Sequence, residues 1–226
     1  MSRLACTLPT PPRSSVLALL VAALVPLPVS AQGVESGRAG PRSVLDPDLE
    51  VALALSAAPP RVSDDATVLL WNGDGFEVGR EGTNGVTCYV ARSWPESLEP
   101  HCFDEEGSRT VLPIHLRQME LWHRGESAAS IEAEIAEGLR TGRFRLPARP
   151  AMSYMMSPGQ RLISDDGRPV GAWRPHLMIY YPYLTDSDLG LGGTPSTEAA
   201  LVVDPGTPLS NMMIIVPDFA PEPGSR

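Results

Sequence analysis

A histidine, a methionine and two tyrosines fall within nine residues of one another in Arg174–Pro182, RPHLMIYYP. An imidazole and a thioether two positions apart are ligands for a soft cation such as Cu(I). An imidazole beside a thiol is a base that can raise a nucleophile. Two candidate chemistries follow. Cys88 with His176 is a catalytic pair for thiol-dependent hydrolysis, and His176 with Met178 and Tyr180 is a binding set. Side chains alternate along a strand, so these last three share one face and Leu177, Ile179 and Tyr181 share the other. The second set is nearly all apolar and is expected to face helices. The first buries polar atoms at a cost unless they find partners. His176 is therefore either hydrogen-bonded within the core or part of a pocket wall, and its place after Pro175 favours partial exposure at the sheet's edge.

The cysteines set a condition on the first chemistry. Of Cys6, Cys88 and Cys102, the first lies in an N-terminal stretch with the form of a signal peptide. That stretch, residues 1–31, has a basic start at Arg3 and Arg13, the apolar run SSVLALLVAALVPLPVS, and small residues before a cleavage site after Ala31. Pro26 and Pro28 interrupt the run, which is short of the roughly 20 apolar residues a span requires. Cys88 and Cys102 then remain as an even pair in an exported chain, and a disulfide is expected between them. A loop of that size would gain on the order of 3 kcal/mol in the chain-entropy account. A bridged Cys88 cannot attack a carbonyl.

The other chemistry-bearing residues are sparser in meaning. Met152, Met155, Met156, Met178, Met212 and Met213 all sit in apolar runs. Neighbours such as Met155 and Met156 must point to opposite faces, so one ion cannot use both, and core filling is the simplest role. His115, Met119 and His123 share a helix face, but the two histidines stand about 12 Å apart along the axis, so at most one joins a ligand from elsewhere. No HExxH, phosphate loop or GxSxG elbow is present. No metal site or cofactor is assigned. His101 is taken as an exposed loop residue. The formal net charge of −9, made more negative by loss of two arginines with the leader, argues against nucleic acid and anionic lipid as partners.

These residues need a scaffold. Residues 32–45 are Gly-, Ser- and Arg-rich and read as a flexible lead-in; 46–219 suit one domain; 220–226 read as a disordered tail. DPDLEVALALSAAPP predicts a helix capped by Asp46. TVLLWNGDGFEVGR predicts a hairpin at Asn72–Gly75, and GVTCYVAR a third strand. The run between the cysteines is taken as irregular. VLPIHLRQMELWHRG and ESAASIEAEIAEGLRTG predict a helical hairpin, the second helix with Ser127 as cap and Gly142 as terminator. AMSYMMS, HLMIYYP and NMMIIVP are apolar on both faces and predict central strands. The Gly-rich stretch from Thr185 to about Ser210 is taken as a mobile loop bordering whatever pocket exists. The fold class is α+β, a mainly antiparallel central sheet packed against a helical hairpin.

HLMIYYP also bears a similarity to the strand of NlpC/P60-type cysteine peptidases that begins with the base histidine, which implies the Cys88–His176 pair. More broadly, TNGVTCYVARSW, PHCF, TVLP, SYMMS and PHLMIYYP together resemble a set of exported bacterial proteins with no assigned activity. That resemblance implies a single domain in the periplasm or outside the cell. The leading expectation is a binding or interaction module for an unidentified ligand or protein. The thiol hydrolase and a periplasmic copper-binding protein using His176 and Met178 are the alternatives.

Overall fold

The computed structural model describes residues 42–163, 168, 174–190 and 200–221. The expected signal peptide, most of the lead-in, the middle of the Gly-rich loop and residues 222–226 lie outside the described residues.

Helix α1, Pro47–Leu55, starts where the sequence places a cap: the Asp46 carboxylate accepts from the backbone N–H groups of Asp48 and Leu49. A single turn, α2 (Pro60–Ser63), follows. Strands β1 (Thr67–Trp71) and β2 (Phe76–Arg80) form the expected hairpin. Its turn is closed by Asn72 Oδ1, which accepts from Asp74 and Gly75 N–H, and Gly73 takes the positive φ of +105° that the turn demands. Then come β3 (Thr87–Ala91), β4 (Glu99–Phe103), α3 (Glu105–His123), α4 (Ala128–Thr141), β5 (Ala151–Met155) and β6 (His176–Tyr180). A 3-10 turn at Asp186–Leu189, β7 (Ala200–Val203) and β8 (Asn211–Ile215) complete the described chain. The strands make one eight-stranded sheet in the order β2-β1-β3-β4-β5-β6-β8-β7. Every ladder is antiparallel except β1–β3. The protein is α+β with a mixed, mostly antiparallel sheet.

Helices lie on both faces. On one, α1 packs over β1, β3 and β4, burying Ala54, Val68, Cys88, Val90 and Cys102. On the other, α3 crosses β3, β4 and β5 and buries Val111, Leu112 and Met119 against Tyr89, Phe103 and Ala151. The apolar stripe of α4, Ile131 and Ile135, packs on Ile114 and Leu121 of α3. Ser127 caps α4 through Ser130 N–H, and Gly142 ends it with φ +79°. The helical hairpin is thus α3–α4, and α1 adds a helix on the far face.

Four local expectations are corrected. The run between the cysteines contains β4, because Glu-Pro-His-Cys-Phe is buried on both sides in mid-sheet, where tertiary cover outweighs β-propensity. Helix α3 begins at Glu105, six residues before the apolar period, because Asp104 caps it by accepting from Gly107 N–H at 2.7 Å. Part of the Gly-rich stretch is strand β7, paired with β8. Both ends of the domain reach further than expected: Arg42 of the lead-in is 4% exposed and its Nε–H donates to the Arg92 carbonyl at 2.7 Å, and Ala220 of the expected tail is 4% exposed with its N–H donating to the Met156 carbonyl at 2.8 Å.

Cys88 and Cys102 sit directly opposite each other in β3 and β4, with Cα atoms 4.0 Å apart, and are joined by a disulfide. Both are fully buried beneath α1.

Candidate functional site

The register of the sheet decides which side chains meet. On the face covered by α3, Met178 lies opposite Ser153 on one side and Met213 on the other; Tyr180 lies opposite Ala151 and Asn211; Tyr89 lies opposite His101. Helix α3 brings His115, Met119 and Trp122 down towards the same face. Between them is a half-open cleft of about 290 Å³. It runs from Ala91, Ser93 and Glu99 to Val203, Asp204 and Asn211, with Met155, Met178 and Met213 along its floor.

The middle of the cleft is a cluster of rings. His101 stacks nearly parallel on Phe103, centroids 5.9 Å apart and planes 8° apart. His115 stands edge-on to Phe103 at 5.5 Å, to Tyr180 at 5.8 Å and to His101 at 6.3 Å. The Tyr89 hydroxyl lies 3.4 Å from His115 Nδ1, and His101 Nδ1 lies 3.1 Å from Ser153 Oγ. Burial holds both imidazoles neutral at pH 7. His101 is pushed well below the ordinary histidine range, chiefly by desolvation and then by His115 and His176. His115 is pushed down to about 4 by desolvation. The phenols of Tyr89 and Tyr180 are pushed up, first by burial, and stay protonated.

The charges around the rings are of one sign. Glu99 holds the rim at one end, accepting from the Ser93 backbone N–H at 3.0 Å and its hydroxyl at 3.1 Å. Asp204 stands at the other end. Among the described residues, no arginine lines the cleft. At the Asp204 end, Asn211 is 2% exposed; its Nδ2 donates to the Leu209 carbonyl at 3.3 Å, which fixes the amide orientation. Its Oδ1 is buried and accepts no hydrogen bond from the described residues.

The candidates drawn from sequence separate on this frame. Met178 and Tyr180 line the cleft. His176 shares their face but is not part of the wall; the expected partial exposure is corrected, since β6 lies between β5 and β8 and the residue is 1% exposed, its Nδ1–H donating to the Arg174 carbonyl at 2.7 Å. The face carrying Met178 and Tyr180, and not that of Leu177, Ile179 and Tyr181, is the one turned towards α3; Tyr181 is 56% exposed. The reason is that α1, the helix on the other face, packs on β1 to β4. Cys88 and His176 do not form a pair. Cys102, the partner of Cys88, is opposite Tyr154, which is opposite Leu177. Cys88 therefore shares a face with Leu177, and His176 points to the reverse side.

Of the helical set, His115 joins the cleft, while His123 packs edge-on against Trp71 at 5.1 Å. Each methionine pair is split as alternation requires, with Met155 and Met213 in the cleft. His101 corrects an expectation: it is 5% exposed within β4. Asn211 and Tyr89 were not singled out from the sequence; one amide or phenol in an apolar run carries no distinguishing signal until register supplies its neighbours. The Gly-rich stretch does border the cleft, through Asp204 and Leu209.

Two expected results arise here. His176→Ala will lower stability by about 1–3 kcal/mol, the cost of removing a fully buried, hydrogen-bonded ring, while leaving ligand affinity at the cleft unchanged in the folded protein. Urea unfolding and a binding titration on the same variant check both halves. The second concerns pH. His115 has a folded pKa near 4, below the ordinary 6.5 of the unfolded chain. The unfolded state thus takes up protons first, and the contribution is complete above pH 6.5 and lost as pH falls towards 4. Urea midpoints for His115→Gln will show a shallower decline between pH 6.5 and 4 than the parent. Equal declines would contradict a neutral His115.

Comparison of the chain with protein-family models, with curated proteins and with solved structures finds no match.

Proposed function

We propose that this chain is an exported binding module and that the α3-face cleft is its ligand site. The observation that carries the reading is the Asn211 amide oxygen: buried, oriented by its own N–H bond, set in the cleft wall and without a donor among the described residues. An unmet buried acceptor costs roughly 1–3 kcal/mol, which a ligand's N–H or O–H would recover. Neutral imidazoles, phenols and thioethers around it can orient a small molecule. They include no activated nucleophile, since the only thiols of the described residues are bridged and lie on the opposite face. Binding is therefore favoured over thiol hydrolysis. The buried disulfide, together with the leader-like N-terminus, supports export; no described helix is long and apolar enough to cross a membrane.

The soft-cation reading keeps one specific support. Met178 and Met213 are direct cross-strand partners in a cleft that also holds Met155, His101 and His115, so thioether and imidazole donors share one space. His176 is replaced in that role by His101 or His115.

A thermal-shift screen with small neutral and charged fragments tests the site. Ligands that raise Tm for the parent should lose their effect in Met178→Trp, where an indole fills the floor. Hits that bind the plugged variant equally well would place the ligand elsewhere.

A further inference from the structure

The electrostatics of the cleft select among ligands. Its ends carry Glu99 and Asp204, its imidazoles are neutral, and no described lining residue is basic. An anion entering at the Asp204 end would meet a carboxylate and, among the described lining residues, no basic side chain. Val203 is the cross-strand partner of Asn211, and Asn211 is that of Tyr180, so Asp204, next in the chain, belongs to the same corner as the unmet amide oxygen and the Tyr180 ring. The charge of Asp204 is felt at the Tyr180 phenol, which it helps to push up. A cation at this corner gains a carboxylate and an amide acceptor beside the Tyr180 ring, in a cleft that Trp122 also lines, and aromatic π clouds attract ammonium groups. The cleft supplies no group of three His, Cys, Asp or Glu side chains that could hold a hard metal ion among the described residues. The thioethers and rings beyond the corner suit carbon.

We propose that the cleft binds a small organic ammonium, its N–H directed at Asn211 Oδ1 beside Asp204 and its carbon body laid along Tyr180, Met178 and Met213. This rests on the cleft being the ligand site and adds the charge class.

Isothermal titration with three isosteric probes separates the two claims: phenethylammonium, the neutral 2-phenylethanol and the anionic phenylacetate. We expect phenethylammonium to bind at least about tenfold more tightly than the alcohol, with no detectable binding of the acid. Asp204→Asn is a mild change, because Asp204 is exposed and its positive φ of 50° suits asparagine. It should weaken the ammonium several-fold and leave the alcohol untouched; Asn211→Leu should weaken both, since either probe can donate to Oδ1, and the ammonium more strongly. Equal binding of ammonium and alcohol, both blocked by Met178→Trp, overturns the charge class and leaves the cleft as a site. Tighter binding of the acid overturns it too. So does binding of Ag(I) by a protein that takes none of the three organic probes.

Discussion

Replacing Glu50 by alanine will cost about 3–5 kcal/mol of folding stability, the toll of leaving a buried charge without its partner. Glu50 in α1 is 1% exposed and Arg92, just beyond β3, is fully buried. Their side chains meet at 2.9 Å. The carboxylate also accepts the Trp71 backbone N–H at 3.2 Å, and the guanidinium donates to the Val90 and Ser43 carbonyls. The pair therefore joins α1, β1, β3 and the docked residues 42–45. Arg92→Ala should cost as much and should also loosen the N-terminal segment, since the Ser43 carbonyl loses its guanidinium donor while Arg42 keeps its bonds to the main-chain carbonyls of residues 92 and 93. Limited proteolysis would then cut near residue 43 before the domain unfolds. The double variant Glu50→Leu/Arg92→Met should lose less than either single change, because no charge is stranded. A single Glu50→Ala loss below about 1 kcal/mol in urea unfolding would contradict this account.

Removing the disulfide will have the next largest effect. Cys88→Ala/Cys102→Ala should lose on the order of 3 kcal/mol, as expected for closing a loop across fourteen positions. Yet ligand affinity should change less than about twofold while the variant stays folded, because the bridge lies under α1 and the cleft lies under α3. Loss of binding in a demonstrably folded double variant would tie the cysteines to function and return the thiol to consideration. The contrast between a large stability effect and an unchanged affinity separates scaffold from site.

The parts of the fold that were legible in the sequence are those specified locally. Asp46 with Pro47, Asn72–Gly75, and Ser127 with Gly142 fix caps and a turn by short-range chemistry, and each does so in the structure. The pairing of Cys88 with Cys102 was legible from their number. Strand β4 was not, since Glu99, Pro100 and His101 are poor strand formers whose extended conformation is imposed by β3 and β5 on either side. The site shows the same division. Alternation correctly grouped Met178 with Tyr180, but which face would meet α3 depends on helix placement across several strands. His101, His115 and Asn211 come from three separate elements, and only the register that sets Tyr180 against Asn211 and Tyr89 against His101 brings them into one cleft.

The methionines provide the most direct measurement of where a ligand binds. Met119, Met155, Met178 and Met213 line the cleft. Met156, whose N–H donates to the Ala57 carbonyl at the end of α1, belongs to the opposite side, as do Met152 and Met212 by strand alternation. With ¹³C-methyl-methionine labelling, titration of any ligand that raises Tm should shift the methyl resonances of Met155, Met178 and Met213 while those of Met152, Met156 and Met212 stay in place. Shifts confined to the second group would contradict the cleft as the binding site.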